Sequence, residues 1–418
     1  MKLLSVRSLI AIFASAYVLS FVDRQILALL IAPVKHDLGL SDFQFALLNG
    51  LAFALLYSVL GLPISALSDR MARPPIIAAG IAVWSIATVG CGLSHSFWQL
   101  FFCRTVVGIG EAALVPAVYS FLADIVPTRK LGSTLALFSL GSFLGAGLAF
   151  LGGGALLSAI HNAQSWHGIP SWKLCFILVG LPGFPLALVV ALFVKEPGPR
   201  MVPETPRRAG EGAIRFFCRH PAFFLAHFLG YSSTAITLFS LLSWTPAFFM
   251  RTYHMSHAQV GALMGSIVTI CGCGGAYTSG RLIDALNTRL GGNASVRAGM
   301  IGALCTPVAL VLSLSTSSAS LAICLMVVAF FFASFPMPPS AIVLQQAVPK
   351  ALRSQFSAVL LLCNALIGLS GGSMLIGYLD DHVFMGSGGI AYSLMLVAGG
   401  ASLLASLLIY VSGRLRPE

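Results

Sequence analysis

Apolar stretches of about 20 residues recur along this chain so regularly that no water-soluble architecture can absorb them. They fall near residues 8–32, 43–66, 74–93, 97–123, 131–157, 173–194, 221–249, 258–283, 297–316, 319–346, 352–378 and 390–412. At about 1.5 Å per residue each can cross the hydrocarbon core of a bilayer. Inside lipid a backbone must satisfy its own hydrogen bonds, which a helix does within one segment. The predicted fold is therefore an all-α membrane protein with twelve transmembrane helices. Composition agrees, with 57% hydrophobic and 9% charged residues against about 25% charged in an ordinary soluble domain.

A formal charge of +11 raises nucleic acid as a partner, but its distribution excludes that reading. With the N-terminus inside, about 19 of the 24 Lys and Arg lie on the inner side, and only Lys35, Lys173 and Arg251 lie outside. This is the positive-inside bias, and it predicts an integral, multi-pass protein with both termini cytoplasmic. Short loops and tails suit a bacterial inner membrane. The nine cysteines show no paired loop spacing, so they read as small apolar fillers.

Between the sixth and seventh stretches, residues 195–219 are polar, Pro-rich and basic. They read as a cytoplasmic linker between a six-helix half at 1–194 and another at 220–418. The halves echo one another. Asp69-Arg70 and Arg73 after the second span match Asp284 after the eighth, and Val126-Pro127 matches Val348-Pro349, at offsets of 215 and 222 residues. Duplicated units of this kind are used by secondary transporters. Charges at such turns can pair across neighbouring helices and latch one face shut, which makes Asp69, Arg70, Arg73 and Asp284 gate candidates. Glycines of span five, including Gly141, Gly145, Gly147 and Gly154, predict close helix packing. Phe335-Pro-Met-Pro-Pro339 predicts a break in span ten.

Four charges lie deep within the first half. Asp23 and Arg24 sit in span one, and Arg104 and Glu111 in span four. Arg104, Gly108 and Glu111 are spaced i, i+4, i+7 and so share one helix face. Helix rise puts Arg104 roughly 10 Å and Glu111 roughly 21 Å below the outer surface, with Asp23 between them. Such charges cost at least about 2.5 kcal/mol each to insert, so they are kept where they pair or face a polar path. Two acids and two bases sum to zero. Neighbours in sequence point about 100° apart, so the expected pair is Asp23 with Arg104, leaving Glu111 the more desolvated acid. A carboxylate that gains and loses an Arg partner would release and take up a proton. A static salt-bridge network is the competing reading. The second half carries no deep charge, and its polar candidates are Tyr231, Ser232, Thr234, Thr237, Trp244, Tyr277, Gln345 and Asn364. Trp98, Trp166, Trp172 and Trp244 near span ends read as an interfacial belt.

Other patterns lack their context. Gly108-Ile-Gly110 follows no strand, and Gly368-Leu-Ser-Gly-Gly372 lies in a glycine-rich membrane helix, so neither is a dinucleotide loop nor a nucleophile elbow. No metal, phosphate-loop or heme signature is present, and the sequence predicts no cofactor and no enzyme activity.

These residues resemble the major facilitator superfamily over essentially the whole chain, through the twelve spans and the paired Asp69-Arg70…Arg73 and Gly280…Asp284 turns. Within it the chain is most similar to the spinster-type branch, through Phe21-Val-Asp-Arg-Gln-Ile26, Arg104-Thr-Val-Val-Gly-Ile-Gly-Glu-Ala112 and Asp124-Ile-Val-Pro-Thr-Arg129. It departs from the branch at Ser20, often Asn, and from the superfamily at Ser65 and Ala72, usually Gly. Ala146 stands where the antiporter motif has proline. The resemblance implies a major facilitator fold and a site lined by Asp23, Arg24, Arg104 and Glu111. It also adds Asp124 and Arg129 to the gate. The expected function is a proton-coupled secondary transporter working by alternating access. Its expected partners are protons, membrane lipids and a lysolipid or amphiphilic organic anion as substrate. A sugar-acid or other organic-anion symporter is the alternative, and a non-transporting receptor or scaffold is the reading from another class.

Overall fold

Helix accounts for nearly all of the described residues, because each long apolar run can close its hydrogen bonds only on itself. The computed structural model describes residues 5–162, 169–197, 212–290, 293–349, 352–385 and 388–417. The side chains of Asp69, Arg70 and Arg129 and most of the 195–219 linker lie outside the described residues, as does Trp166. Among the described residues there are no strands, and twelve helices are long and apolar enough to span a membrane. Spans one to six are Val6–Leu29, Asp42–Gly61, Arg73–Gly92, Phe97–Ile125, Leu137–Ile160 and Ser171–Phe193. Spans seven to twelve are Pro221–Tyr253, His257–Asn287, Asn293–Ser315, Ala319–Ala347, Gln355–His382 and Gly389–Arg414. Several helices run past the apolar windows into charged ends, as at Asp42, Arg251 and Asp380. The hydrogen-bond ladder continues there after hydropathy has fallen.

Large apolar side chains cover the outside, among them Trp98, Phe102, Leu188 and Ile270. Lipid solvates such a surface, so helix association depends on close packing of small residues. Span five shows this on two faces. Gly145 lies against the Val18 carbonyl and Phe21 of span one, while Gly154 faces Gly261 and the His257 carbonyl of span eight. Span ten breaks between Ala333 and Met337, where its prolines withhold backbone donors.

The contacts divide the chain into two compact units. The first holds 1–197 with Leu242–Ile270 and Ser373–Ser393, and the second holds 198–241, Cys271–Gly372 and 394–418. In the second unit an aromatic core gathers Phe216, Phe224, Phe228 and Phe356. The short helix Ala213–Arg219 is anchored there by Phe216.

In the first unit, span four owes its position to two glycines. A Cβ at Gly108 would collide with the Phe53 carbonyl of span two, and one at Gly110 would lie 2.7 Å from the Gly80 carbonyl of span three. Backbone cannot yield as a flexible side chain does. Gly108→Ala is expected to destabilise the protein by about 1–3 kcal/mol through overpacking, read as a lower unfolding midpoint in detergent.

Candidate functional site

Three helices of the first unit converge on the deep charges, and a break in one of them fixes the level. Span four runs as Phe97–Ala112 and restarts at Leu114. Pro116 has no N–H for the Ala112 carbonyl and its ring crowds that group, so the helix is interrupted at Ala113, two residues after Glu111. On span one, Asp23 and Arg24 are both buried and point to different neighbours.

Arg24 pairs with Glu111 across the contact of spans one and four, with 2.5 Å between nitrogen and oxygen. Its guanidinium also lies 4.5 Å from the Phe21 ring, 4.1 Å from Phe53 and 5.3 Å from Tyr57. Such faces attract a desolvated cation by about 2 kcal/mol. Asp23 turns toward span three, where Thr88 donates to its Oδ2 at 3.1 Å. Arg104 donates to the Asp23 backbone carbonyl at 3.0 Å and to that of Arg24 at 3.4 Å.

This pairing corrects the expectation from sequence. The Arg104 fork ends on backbone, and the cation facing an acid is Arg24. Asp23, rather than Glu111, is the acid with no ion pair among the described residues. The cause is the 100° step between positions 23 and 24, which hands one side chain to span three and the other to span four. Charge balance holds, yet each member keeps an unsatisfied buried atom: Asp23 Oδ1, Arg24 Nε, Arg104 Nε and Glu111 Oε1. Buried polar atoms are normally paired, so four orphans in one cluster mark a place where water, a proton or a ligand completes the bonding.

The remaining candidates separate. Trp244 is fully buried in the first unit, donates to Ser373 Oγ at 3.2 Å and meets Phe45 edge-on. Trp172 is buried too and donates to Asp37 at 3.0 Å. Neither is a belt residue, because each indole N–H has a protein partner; Trp98 alone of the described candidates is exposed. In the second unit Asn364 accepts from Ser232 at 3.2 Å and opens the π-helical stretch Asn364–Gly371. Tyr231 is buried with an unpartnered hydroxyl, and its ring stands 4.7 Å from that of His227. Hydropathy alone passed over His227, a lone polar residue among phenylalanines; its Nε2 bonds the Ser340 carbonyl at 3.1 Å.

Among the gate candidates, Arg73 and Asp124 meet at 2.6 Å. Arg73 also binds Glu196 through its backbone N–H and its guanidinium, and Ser120 Oγ at 3.1 Å. All these partners lie within the first six spans and their immediate end. Glu196 went unremarked in the sequence because it opens the polar linker. Asp284 is exposed at the end of span eight.

The family model described as Major Facilitator Superfamily matches residues 13–373. The chain belongs to that superfamily. It is a membrane transporter by family rather than an enzyme, and its relatives include the spinster type. It is 28% identical over 96% of its length to an MFS-type efflux pump of Mycolicibacterium smegmatis, covering 91% of that protein. It is 26% identical to a probable sphingolipid transporter, spinster homolog 2, of Arabidopsis thaliana, over 62% of this chain and 54% of the relative. Among solved structures it is similar to a bacterial homolog of the human lysosomal transporter spinster in an inward-facing, unoccupied conformation. That match has a TM-score of 0.84 and 25% identity, covering 98% of this chain and 97% of that one.

Proposed function

We propose that this superfamily member is a proton-coupled secondary transporter that works by alternating access and carries a lysolipid or similar amphiphilic organic anion. The observation that carries the reading is the neutral quartet of Asp23, Arg24, Arg104 and Glu111, buried in a membrane bundle with one unsatisfied atom on each member. Arg24 stands against Glu111 and offsets its charge. When the two part in a low-dielectric site, an isolated carboxylate is very costly, and binding a proton removes that cost. Arg24, caged by aromatic rings, is then free to take an anionic head group. Likeness to spinster-type relatives, one named for sphingolipid, supports an amphiphile. Tyr231, Trp244 and Asn364 are proposed to shape the neutral part of the path.

The basic inner loops support cytoplasmic termini and a bacterial inner membrane, and the paired turn motifs support two six-span halves. The inner gate is assigned to Asp69, Arg70, Arg129 and Asp284. Arg73 and Asp124 are assigned to bracing, since both belong to one set of helices.

The test is flux in proteoliposomes, using a fluorescent lysophosphatidylethanolamine and an imposed pH gradient. Wild-type flux should follow the gradient, and Glu111→Gln should carry substrate without responding to it. Unchanged coupling would remove Glu111 from the mechanism. Flux of a sugar acid with none of lysolipid would move the substrate class. No flux, together with tolerance of both Asp23→Asn and Glu111→Gln, would leave a receptor or scaffold.

A further inference from the structure

We propose that Arg251, Asp42 and Asp380 form a breakable latch that shuts one mouth of the transport path, with Asn49 and Ser243 as a second tier beneath it. All five residues lie in the first unit, at the end where span one finishes. They come from segments remote in sequence: Arg251 is 209 residues from Asp42 and 129 from Asp380.

One guanidinium joins three helix ends. Arg251 grips both oxygens of Asp42, at 2.6 and 3.1 Å, and reaches Asp380 at 2.8 Å. Lys35 adds a contact to Asp42 at 2.6 Å. Two cations and two acids cancel. The adjacent acid, Asp381, is neutralised differently, accepting from the backbone N–H of Asp42 at 3.0 Å and of Phe43 at 2.7 Å. Carboxylates are favoured at a helix start, where N–H groups lack partners. Gly377 lets span eleven come this close, since a Cβ there would lie 2.6 Å from the Asp42 carbonyl.

The second tier is in register with the first. Asn49 lies seven residues beyond Asp42 and Ser243 eight residues before Arg251, roughly 10 and 12 Å by helix rise. Asn49 Nδ2 donates to Ser243 Oγ at 2.7 Å, from the π-helical turn Leu47–Leu51.

Exposure separates this cluster from the one around Arg73. The Arg251 side chain is 34% exposed, and that of Arg73 only 1%. The acids that Arg251 holds are more buried, with the Asp42 side chain 9% and that of Asp380 6% exposed, so water reaches the cluster from the arginine's side and can take over the guanidinium donors as it withdraws. The Asn49–Ser243 bond is buried but neutral, so parting it separates no charges. A seam whose bridging cation faces water and whose inner tier is uncharged can open and reclose, which is what one mouth of an alternating-access transporter requires. The purpose given to the latch rests on the transport reading above, whereas its opening does not.

The test is conformational and uses no substrate. Phe43 and Tyr378 carry rings 6.2 Å apart, and the pair Phe43→Cys with Tyr378→Cys is placed in protein whose exposed Cys218 and Cys324 are serine. Oxidation with copper phenanthroline in proteoliposomes should form the cross-link, seen as a disulfide-linked peptide by mass spectrometry. Arg251→Ala should lower the initial rate at least 5-fold. Asp380→Asn, which leaves the Arg251–Asp42 contact, should lower it less and serves if the first variant fails to fold. Spin labels at His36 and Val383 should give a second, longer distance that grows in the variant that folds. Equal cross-linking rates, or one unchanged distance distribution, would overturn the latch. Two distance populations with no flux would leave the latch standing and remove the transport reading.

Discussion

Arg24→Met should lower the stability of the folded protein by about 3–5 kcal/mol, the usual result of breaking a buried pair from one side. The Glu111 side chain is 1% exposed and that of Arg24 10%, so neither group can turn to water when its partner goes. The aromatic faces of Phe21, Phe53 and Tyr57 lose their cation in the same step. The double variant Arg24→Met with Glu111→Leu should regain most of that loss, because replacing both charges by apolar groups of similar size is often neutral or stabilising. Transport should stay abolished in the double variant. The measurement is unfolding of each purified variant in mixed micelles, paired with flux per folded molecule. If the single variant lost less than about 1 kcal/mol, Glu111 would already be neutral or hydrated, and the ion pair would not be what holds spans one and four in place. A double variant that transported would show that the charges are structural only.

How much of this was legible beforehand follows from what each signal measures. Hydropathy reports lipid exposure over a window, so the twelve spans and the family were readable from sequence. The i, i+4, i+7 spacing put Arg104 and Glu111 on one face, and both are buried. Pairing was not readable, because it depends on how each helix is rotated about its axis. A rotation of about 100° is one residue, and that difference gave Glu111 to Arg24 and left Asp23 with Thr88. The break before Pro116 carried a usable signal, a proline five residues after Glu111. Trp172 and Trp244 misled because an indole near a helix end suits either the interface or a buried hydrogen bond. The proposed latch had a faint trace. Two of the three cations that broke the positive-inside pattern, Lys35 and Arg251, hold Asp42 between them. Their acids lie some 340 residues apart in the chain, and no local pattern joins such positions.

Arg73→Met is the second large effect, expected at about 2–3 kcal/mol, and its value lies in where the loss appears. The guanidinium is buried and fully engaged by Asp124, Glu196 and Ser120, with the Phe121 ring 5.2 Å away. Its acids are different: the Asp124 side chain is 41% exposed and that of Glu196 26%. Both can turn to water once the arginine is gone, which keeps the loss below that for Arg24. Arg73→Lys should recover about half, since a lysine supplies the charge but not the planar fork. Because every partner among the described residues belongs to the first six spans or their end, this cluster can move as one piece and has no reason to break during transport. The expected result is therefore a lower unfolding midpoint with unchanged flux per folded molecule. An altered flux rate, or a shifted distance distribution between labels at His36 and Val383, would show that Arg73 couples to the conformational change and would return it to the gate beside Asp69 and Arg70.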